Sequence, residues 1–462
     1  METPIPIAIV GMSCRFAEAA NPAALWRNVM RRRCSIGPLS SFAALPIGVS
    51  NLFANRDYPP AGGQLGPLYA CVSAEQEFPR QMNAGENQDL YFATQLAFDA
   101  LADAGMRPHA NPPVRGSVHL GYAPPFNSST VNWLDHTMFI DQTMDIIARF
   151  FPSAPEEALA SVRSRLTDSL PAPDAASFLT GTGHHVAVWI ARQAGFEGPA
   201  AIADSGALSA NACFQAAVSA LREGRADVAL VGAVNPPFSR AVLQGLSGIV
   251  RFSRSGRLIP FDKSADGTLP GEGGAFFVLK RRADALAARD RIYALIRSLS
   301  CAAPVEPSGA RLATMFSDTC RMADVPVKSI GLVEATGSGE PENDARVVEA
   351  VCGLWGDHSP GEPLVGVGSI MGNIGHTMRA AVAAGTVKCA LALHHRVLPP
   401  QVAAEHPLEG LDSEKSGAYL LAEARPWIMG DSTSPRRAVV MQQDSEGRAS
   451  VLVLEEEPED RS

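Results

Sequence analysis

The stretch from Ile202 to Asn235, IADSGALSANACFQAAVSALREGRADVALVGAVN, has the layout of a site for covalent chemistry. It reads as a strand end, a sharp turn at Ser205-Gly206, a long alanine-rich helix, a short polar turn and a strand that stops at Gly232. A turn of this kind lifts one side chain onto a helix N-terminus, where free N–H groups and the macrodipole stabilise negative charge and lower a thiol pKa. The residue so placed is Ala207, which has no nucleophile. The housing of a covalent catalyst is therefore expected without its reacting atom. Cys213 follows on the same helix, nearly two turns in, and reads as a small buried hydrophobe. His376, beside Gly375 at an expected strand-to-helix junction, reads as a hydrogen-bonded structural group or a contact for a bound ligand. Adjacent histidines at 184–185 and 394–395 point in different directions, and the cysteines show no CxxC or zinc-like spacing, so no metal is expected.

The elements that must position these residues follow from periodicity. Ile5 to Gly11 is a short apolar run ending in glycine, as a buried strand does. Trp26 to Arg33 reads as an amphipathic helix carrying Arg27, Arg31, Arg32 and Arg33, either a solvated face or a docking patch for an acidic partner. A Pro-, Gly- and Ser-rich excursion spans 35–80. Asn87 to Gly105 has the spacing of a buried-face helix with a glycine end. Val118 to Tyr122 is a candidate strand, and 123–180 an irregular insertion with helices over Met138 to Phe151 and Glu156 to Leu166. Gly183 to Gly195 is a further helix. After the turn-rich link from Leu246 to Gly256, strands are expected at Ala275 to Leu279, Ile292 to Ile296, Ile330 to Glu334 and Leu364 to Val367. A buried helix should run from His376 to His395, and a hairpin, Ala438 to Met441 with Ser450 to Glu455, closes the chain. Strands alternating with helices in both halves predict α/β layers with mostly parallel strands.

Size and composition narrow the classes. The 462 residues exceed one ordinary core, which predicts a duplicated α/β unit, and 46% hydrophobic content excludes a disordered or fibrous chain. The net charge of -9 argues against general nucleic-acid binding. The apolar N-terminal run lacks a charged n-region and is too short for a signal peptide, and no stretch approaches the roughly 18 apolar residues of a membrane span. A soluble cytoplasmic protein with free thiols is the expectation.

Four blocks, in order, carry a resemblance. PIAIVGMSCRF, SALREGRADVALVGAVN, PFDKSADGTLPGEGGAFFVLKRRADA and GNIGHT resemble blocks of the β-ketoacyl synthases, the condensing enzymes of fatty acid and polyketide assembly. The resemblance implies the α/β thiolase fold, two similar halves in a five-layered αβαβα sandwich, and dimerisation. The halves are expected over 1–257 and 258–457, with an acidic tail over 458–462. The family's chemistry needs a cysteine thiolate, two histidines and a supporting lysine. Its cysteine falls in an Asp-Thr-Ala-Cys-Ser-Ser pattern, which here is Asp204, Ser205, Gly206, Ala207, Leu208, Ser209. Its first histidine position, in Glu-Ala-His-Gly-Thr-Gly, holds Thr336, which cannot serve as a cationic donor or a base near neutral pH. Its lysine position holds Met371, and only the second histidine remains, as His376. Its glycine-rich closing loop is matched by Gln442 to Glu446, with Gly447 alone preserving the pattern.

The resemblance implies a disarmed ketosynthase, similar by role to the chain-length factors of type II polyketide and polyunsaturated fatty acid synthases. Such a subunit forms a heterodimer with an active ketosynthase and shapes its acyl tunnel. Partners are then that ketosynthase and an acyl carrier protein, whose phosphopantetheine arm visits without being a resident cofactor. Arg27, Arg31, Arg32 and Arg33 are the candidate docking residues. The helices from Ala207 to Leu221 and from Ala380 to Leu393 would line or support the tunnel. Two alternatives differ in kind. A decarboxylating loading-type ketosynthase also lacks the cysteine but keeps both histidines, which Thr336 opposes. A stand-alone acyl- or carrier-binding protein would be a homodimer without a ketosynthase partner.

Overall fold

The computed structural model describes residues 4–39, 59, 61–66, 87–108, 114–123, 128–172, 178–179, 181–238, 240–302, 307–356, 364–402, 404–411, 416–429, 434–444 and 446–458. Most of the expected 35–80 excursion, Cys71, Ser445 and nearly all of the acidic tail lie outside them.

In chain order the first half comprises β1 (Ile7–Phe16), α1 (Pro22–Met30), α2 (Gln88–Asp103) and β2 (Gly116–Gly121). The insertion follows as α3 (Ser128–Leu134), a π turn (Asp135–Phe139), α4 (Ile140–Phe150) and α5 (Glu156–Asp168). Then come α6 (Gly183–Ala194), β3 (Ala200–Ala203), α7 (Ser209–Arg222), β4 (Val228–Asn235), α8 (Arg240–Leu246), β5 (Gly273–Arg281) and α9 (Arg282–Ala288). The second half comprises β6 (Ala294–Ala302), α10 (Gly309–Met322), β7 (Leu332–Ala335), α11 (Pro341–Trp355), β8 (Val365–Gly368), α12 (Met371–Ile374), α13 (Ala381–His395), β9 (Ala418–Leu420), β10 (Arg437–Gln443) and β11 (Ala449–Glu455).

The strands run in the order β9-β8-β7-β10-β11-β6-β1-β5-β4-β2-β3. Each half repeats one plan. The strands β3, β2 and β4, like β9, β8, β7 and β10, pair in parallel. The remaining pairs are antiparallel, which corrects the expectation of mostly parallel strands. Helix-containing crossovers account for the first set, and the hairpin of β10 and β11 for part of the second. The division expected between 257 and 258 falls before β5, whose pairing partners are β4 and β1 of the first half.

Three buried clusters make the layers. Residues of α2 and α6 pack on one face of the first-half strands, and residues of α10 and α11 pack on one face of the second-half strands. Between the two sets lies a cluster built from α7 and α13. The result is the five-layered thiolase sandwich, a mixed α/β fold. Both central helices are rich in alanine and other small residues because each is pressed between the first-half and second-half strands and against the other.

Several bounds differ from the periodicity. β1 continues past Gly11 to Phe16, because every residue from Ile7 to Phe16 is buried and a glycine at 11 lets Ala100 of α2 come close. A Cβ there would lie 2.5 Å from the Ala100 carbonyl oxygen. α1 starts earlier than Trp26, capped by Asn21, whose side chain accepts from the Ala24 N–H at 2.8 Å. β4 runs beyond Gly232 to Asn235, where the Asn235 amide donates to the Gly271 carbonyl at 2.8 Å. The helix expected from His376 to His395 starts later: α12 ends at Ile374 with Gly375 as its cap, a 3-10 turn spans Met378–Ala380, and α13 begins at Ala381.

Candidate functional site

The turn after β3 is tied by its own side chains. The Ser205 N–H donates to Ser209 Oγ at 2.9 Å, and that hydroxyl donates to the Gly206 carbonyl at 2.7 Å. Gly206 takes φ +55, a left-handed conformation that favours glycine. The Arg448 guanidinium lies close by: a Cβ at Gly206 would stand 2.7 Å from one of its nitrogens. A 3-10 turn over Gly206–Leu208 then leads into α7, so Ala207 lies at the helix start as the sequence predicts.

Ala207 lines a cavity of about 710 Å³. Its polar side is formed by Asp204, His376, Arg379, Gln443, Asp444 and Arg448, and its apolar side by Pro236, Pro237, Phe238, Val242, Leu246, Ile249 and Val250. The helix α8, which contributes Val242 and Leu246 to that apolar side, was not recognised in the sequence. No cysteine lines this cavity among the described residues. Cys213 is buried inside α7, and burial pushes its thiol up to about 12, the reverse of an activated nucleophile.

Thr336 and Met371 are absorbed into packing. The Thr336 hydroxyl accepts from the Gln443 N–H at 2.8 Å and donates to the Met441 carbonyl at 3.3 Å, joining the end of β7 to β10. Met371 is buried in a small apolar cluster with Leu258, Leu269 and Ala381. His376, by contrast, lines the cavity. Its N–H donates to the Leu269 carbonyl at 2.7 Å, its carbonyl accepts from Gly271 at 2.9 Å, and its Nδ1 accepts from the Met378 N–H at 3.0 Å. Nδ1 as acceptor places the proton of the neutral ring on Nε2. Burial holds the imidazole down to about 4, against a weaker upward pull from its own backbone and from Asp444. His376 is thus a neutral hydrogen-bond donor through Nε2, suited to a carbonyl or an oxyanion and not to proton donation as an imidazolium near neutral pH.

The turn that replaces the glycine-rich loop is organised by Asp444. Its Oδ1 accepts from the N–H groups of Glu446 at 3.1 Å and Arg448 at 2.9 Å, and its Oδ2 from Arg448 Nε at 2.7 Å. Gly447 keeps a left-handed φ of +78. Gln442 and Gln443 belong to β10, so the turn proper begins at Asp444. Arg448 also pairs with Glu446 at 2.8 Å, and Arg379 with Asp204 at 3.1 Å. Both arginines were missed in the sequence, where nothing separates them from surface arginines.

A second missed feature lies behind the wall. Lys388 Nζ stands 2.6 Å from Glu334 Oε2, both almost fully buried, and Glu334 Oε1 accepts from the Ile370 N–H at 2.5 Å. The signal was present: a lone lysine in the apolar run TVKCALAL. Arg27, Arg31, Arg32 and Arg33 are exposed, as a docking patch requires. Arg33 pairs with Glu18 at 2.6 Å, and its carbonyl accepts from the Asn373 side chain at 2.9 Å, on the helix just before His376.

Comparison with known proteins agrees with this geometry. Residues 5–285 match the model of the beta-ketoacyl synthase N-terminal domain, and residues 298–405 that of the C-terminal domain. The spectinabilin polyketide synthase system protein NorA' of Streptomyces orinoci is 28% identical over 98% of this chain and 12% of its own length. The pikromycin polyketide synthase component PikAII of Streptomyces venezuelae is 29% identical, again over 98% of this chain and 12% of its own length. The chain therefore spans about 12% of the length of these curated relatives. Among solved structures, the ketosynthase from module 6 of the bacillaene synthase of Bacillus subtilis 168 superposes with a TM-score of 0.73 at 24% identity, covering 98% of this chain and 72% of that one. The structure titled PfaC Keto synthase-Chain length factor gives 0.77 at 21% identity, covering 98% of this chain and 48% of that one.

Proposed function

Since the chain belongs to the beta-ketoacyl synthase family, we propose that it is a non-catalytic ketosynthase-like subunit, similar in role to a chain-length factor, which pairs with an active ketosynthase and shapes its acyl tunnel. The observation that carries this reading is Ala207 at the start of α7, facing an open cavity of about 710 Å³. Condensation in this family passes through an acyl group bound covalently to a thiolate, and a methyl side chain cannot form that bond. Thr336 and Met371 leave no second histidine or lysine to compensate, since both side chains are engaged elsewhere. Loss of a nucleophile alone costs on the order of a million-fold in a well-studied hydrolase.

Pairing is supported by the surface of the insertion. Met138 is 51% exposed, Phe150 77% and Phe151 65%, and Phe139 and Ile146 are exposed beside them in sequence. Exposed apolar side chains clustered in this way mark surfaces that another protein covers. The solved chain titled PfaC Keto synthase-Chain length factor has this fold and about twice this length, the form two fused subunits would take. In this reading an acyl carrier protein docks at Arg27, Arg31, Arg32 and Arg33, and its phosphopantetheine arm is a visitor to the cavity.

The test is co-expression with an intact ketosynthase encoded beside this chain, followed by native mass spectrometry. A one-to-one heterodimer is expected; a homodimer alone, with the partner present, removes the subunit reading. His376, a neutral donor at the cavity, keeps one competitor in play: decarboxylation of malonyl carrier protein. Release of carbon dioxide by the purified chain would favour that loading-type activity.

A further inference from the structure

The cavity beside Ala207 carries more negative charge than its arginines neutralise. Among the described residues that line it are five carboxylates, of Asp89, Asp204, Glu340, Asp444 and Glu446, against the two guanidiniums of Arg379 and Arg448, an excess of three negative charges. Three of the acids meet those arginines: Asp204 pairs with Arg379, and Asp444 and Glu446 with Arg448. Asp89 is buried and accepts from the Tyr122 hydroxyl at 2.7 Å. Glu340 differs. Its Oε1 accepts from the Arg251 N–H at 2.9 Å and its Oε2 from the Asn343 amide at 2.9 Å, and no lysine or arginine side chain among the described residues pairs with it. The guanidiniums around it are engaged elsewhere, Arg251 with Glu342 at 3.1 Å and Arg346 with the Asn343 oxygen at 2.7 Å. Two neutral donors fix the Glu340 carboxylate without cancelling its charge, and each oxygen keeps a lone pair for a further donor.

Its position joins the two sides of the cavity. Glu340 lies on the loop that leaves β7 after Thr336, and the N–H it accepts belongs to Arg251, which directly follows Ile249 and Val250 of the apolar side. A second group in the same cavity lacks a partner: His376 is only 8% exposed, and its Nε2–H meets no acceptor among the described residues. The cavity thus presents a donor at His376, an apolar wall, and a fixed anion beside that wall.

We propose that the acyl group this cavity receives bears a basic amine, whose ammonium pairs with Glu340 while its alkyl body lies on Ile249 and Val250 and its carbonyl accepts from His376. The proposal rests on the reading that a carrier-borne acyl group visits this chain. A plain alkyl chain would cover the Glu340 carboxylate with apolar atoms and leave it without a cation, which is costly. A carboxylate-bearing chain would add to the excess of negative charge. An ammonium removes one unit of that excess beside an apolar wall, where the attraction is stronger than in water.

The test is calorimetric titration of the full chain, at low and high salt, with eight-carbon amides that differ only at the end remote from the carbonyl: ω-aminooctanamide, ω-hydroxyoctanamide, octanamide and the monoamide of octanedioic acid. Each keeps a carbonyl for His376. The amine should bind at least about tenfold tighter than octanamide, as one charge-assisted contact provides, with the carboxylate weakest. That gap should close in Glu340→Gln, which keeps the shape, and persist in Glu223→Gln, which removes a negative charge at the opposite end of α7 from Ala207. Equal binding of the amine and octanamide, tighter binding of the carboxylate, or a gap that survives Glu340→Gln overturns the proposal. The hydroxyl compound matching the amine would mean that the site reads a hydroxyl, and overturns it too. Should Glu340→Gln fail to fold, wild-type protein decides: the gap must shrink as salt rises, and a gap indifferent to salt overturns the proposal. Pairing with a ketosynthase is read separately, by native mass spectrometry, so a failure of pairing and a failure of the amine preference give different results.

Discussion

The starts of α7 and α13 face one cavity from opposite halves of the molecule, and they are held in different ways. At the first, the backbone is tied locally by Ser209 and Asp204, and the one residue of consequence, Ala207, makes no polar contact. At the second, His376 is fixed by main-chain bonds to Leu269, Gly271 and Met378, while the neighbouring positions 336 and 371 have become packing. A change at 207 is therefore a change of chemistry with little structural consequence. A change at the second start disturbs a network, and the two can be separated by measuring stability and chemistry on the same variants.

The largest effect belongs under the second start. Lys388→Met leaves Glu334 buried without its cation, which should cost about 3–5 kcal/mol of stability, read from urea unfolding. A cost below about 1 kcal/mol would show that the pair is not what supports α13 against β7, and the contrast between the two starts would lose its basis.

Next is the pH dependence that the second half's cavity wall should confer. Burial holds His376 at about 4, below the ordinary 6.5, so from pH 6.5 down to about 4 the unfolded chain takes a proton that the native ring refuses. Stability then falls as pH falls, by up to about 1.4 kcal/mol per pH unit. His119, buried in β2 and also held near 4 by burial, adds in the same sense. Asp344 opposes them. Burial pushes its carboxyl up to about 7, against the pull of the Phe261 and Gly339 amides, so the native state keeps a proton that the unfolded chain releases above 3.8. Its contribution is full below pH 3.8 and is lost as pH rises to about 7. Asp344→Asn should therefore steepen the rise in stability between pH 4 and 6.5 by about one proton. An unchanged slope would mean that Asp344 is ionised in the native protein.

These buried groups also mark the limit of what was legible in the sequence. Periodicity located most of the sheet and helices because those segments have faces: α2 stops at the glycine it was expected to, and the β10–β11 hairpin lies where its alternation placed it. The family's motifs singled out Ala207, Thr336, Met371 and His376; of these Ala207 and His376 line one cavity, while Thr336 and Met371 are taken up in packing. Pairings across the fold were not legible. Lys388 meets Glu334, and Arg379 meets Asp204, over separations that no local pattern encodes. α8 is short and follows Pro236 and Pro237, which mask a helical period. The late start of α13 escaped because the alanine-rich sequence from Ala380 onward lets the helical pattern be extended back to His376; the turn puts Met378 at φ +43, a conformation that sequence alone does not announce.

A smaller effect tests whether Thr336 is packing. Thr336→Val keeps the shape but removes the acceptor for the Gln443 N–H, leaving that amide buried without a partner, at about 1–3 kcal/mol. Thr336→Ser, which keeps the oxygen, should recover most of the loss. If valine is tolerated as well as serine, the hydroxyl is not engaged and position 336 is as free as position 207.

The smallest structural effect is expected from Ala207→Cys. One sulfur pointing into an open cavity meets no packed neighbour, so stability should stay within about 0.5 kcal/mol of the parent. Chemistry should change sharply at the level of the thiol and not at the level of turnover. At the start of α7, with the Arg448 guanidinium beside Gly206, the new thiolate is stabilised, whereas Cys213 deeper in the same helix is pushed up to about 12. Iodoacetamide should therefore alkylate position 207 well before Cys213, as read by intact mass and peptide mapping. Condensation should remain absent, because Thr336 and Met371 still lack the groups that the decarboxylation and enolate steps require. Measurable product from Ala207→Cys would mean that His376 alone suffices for those steps, and that the two helix starts differ by a single atom and not by a dismantled site.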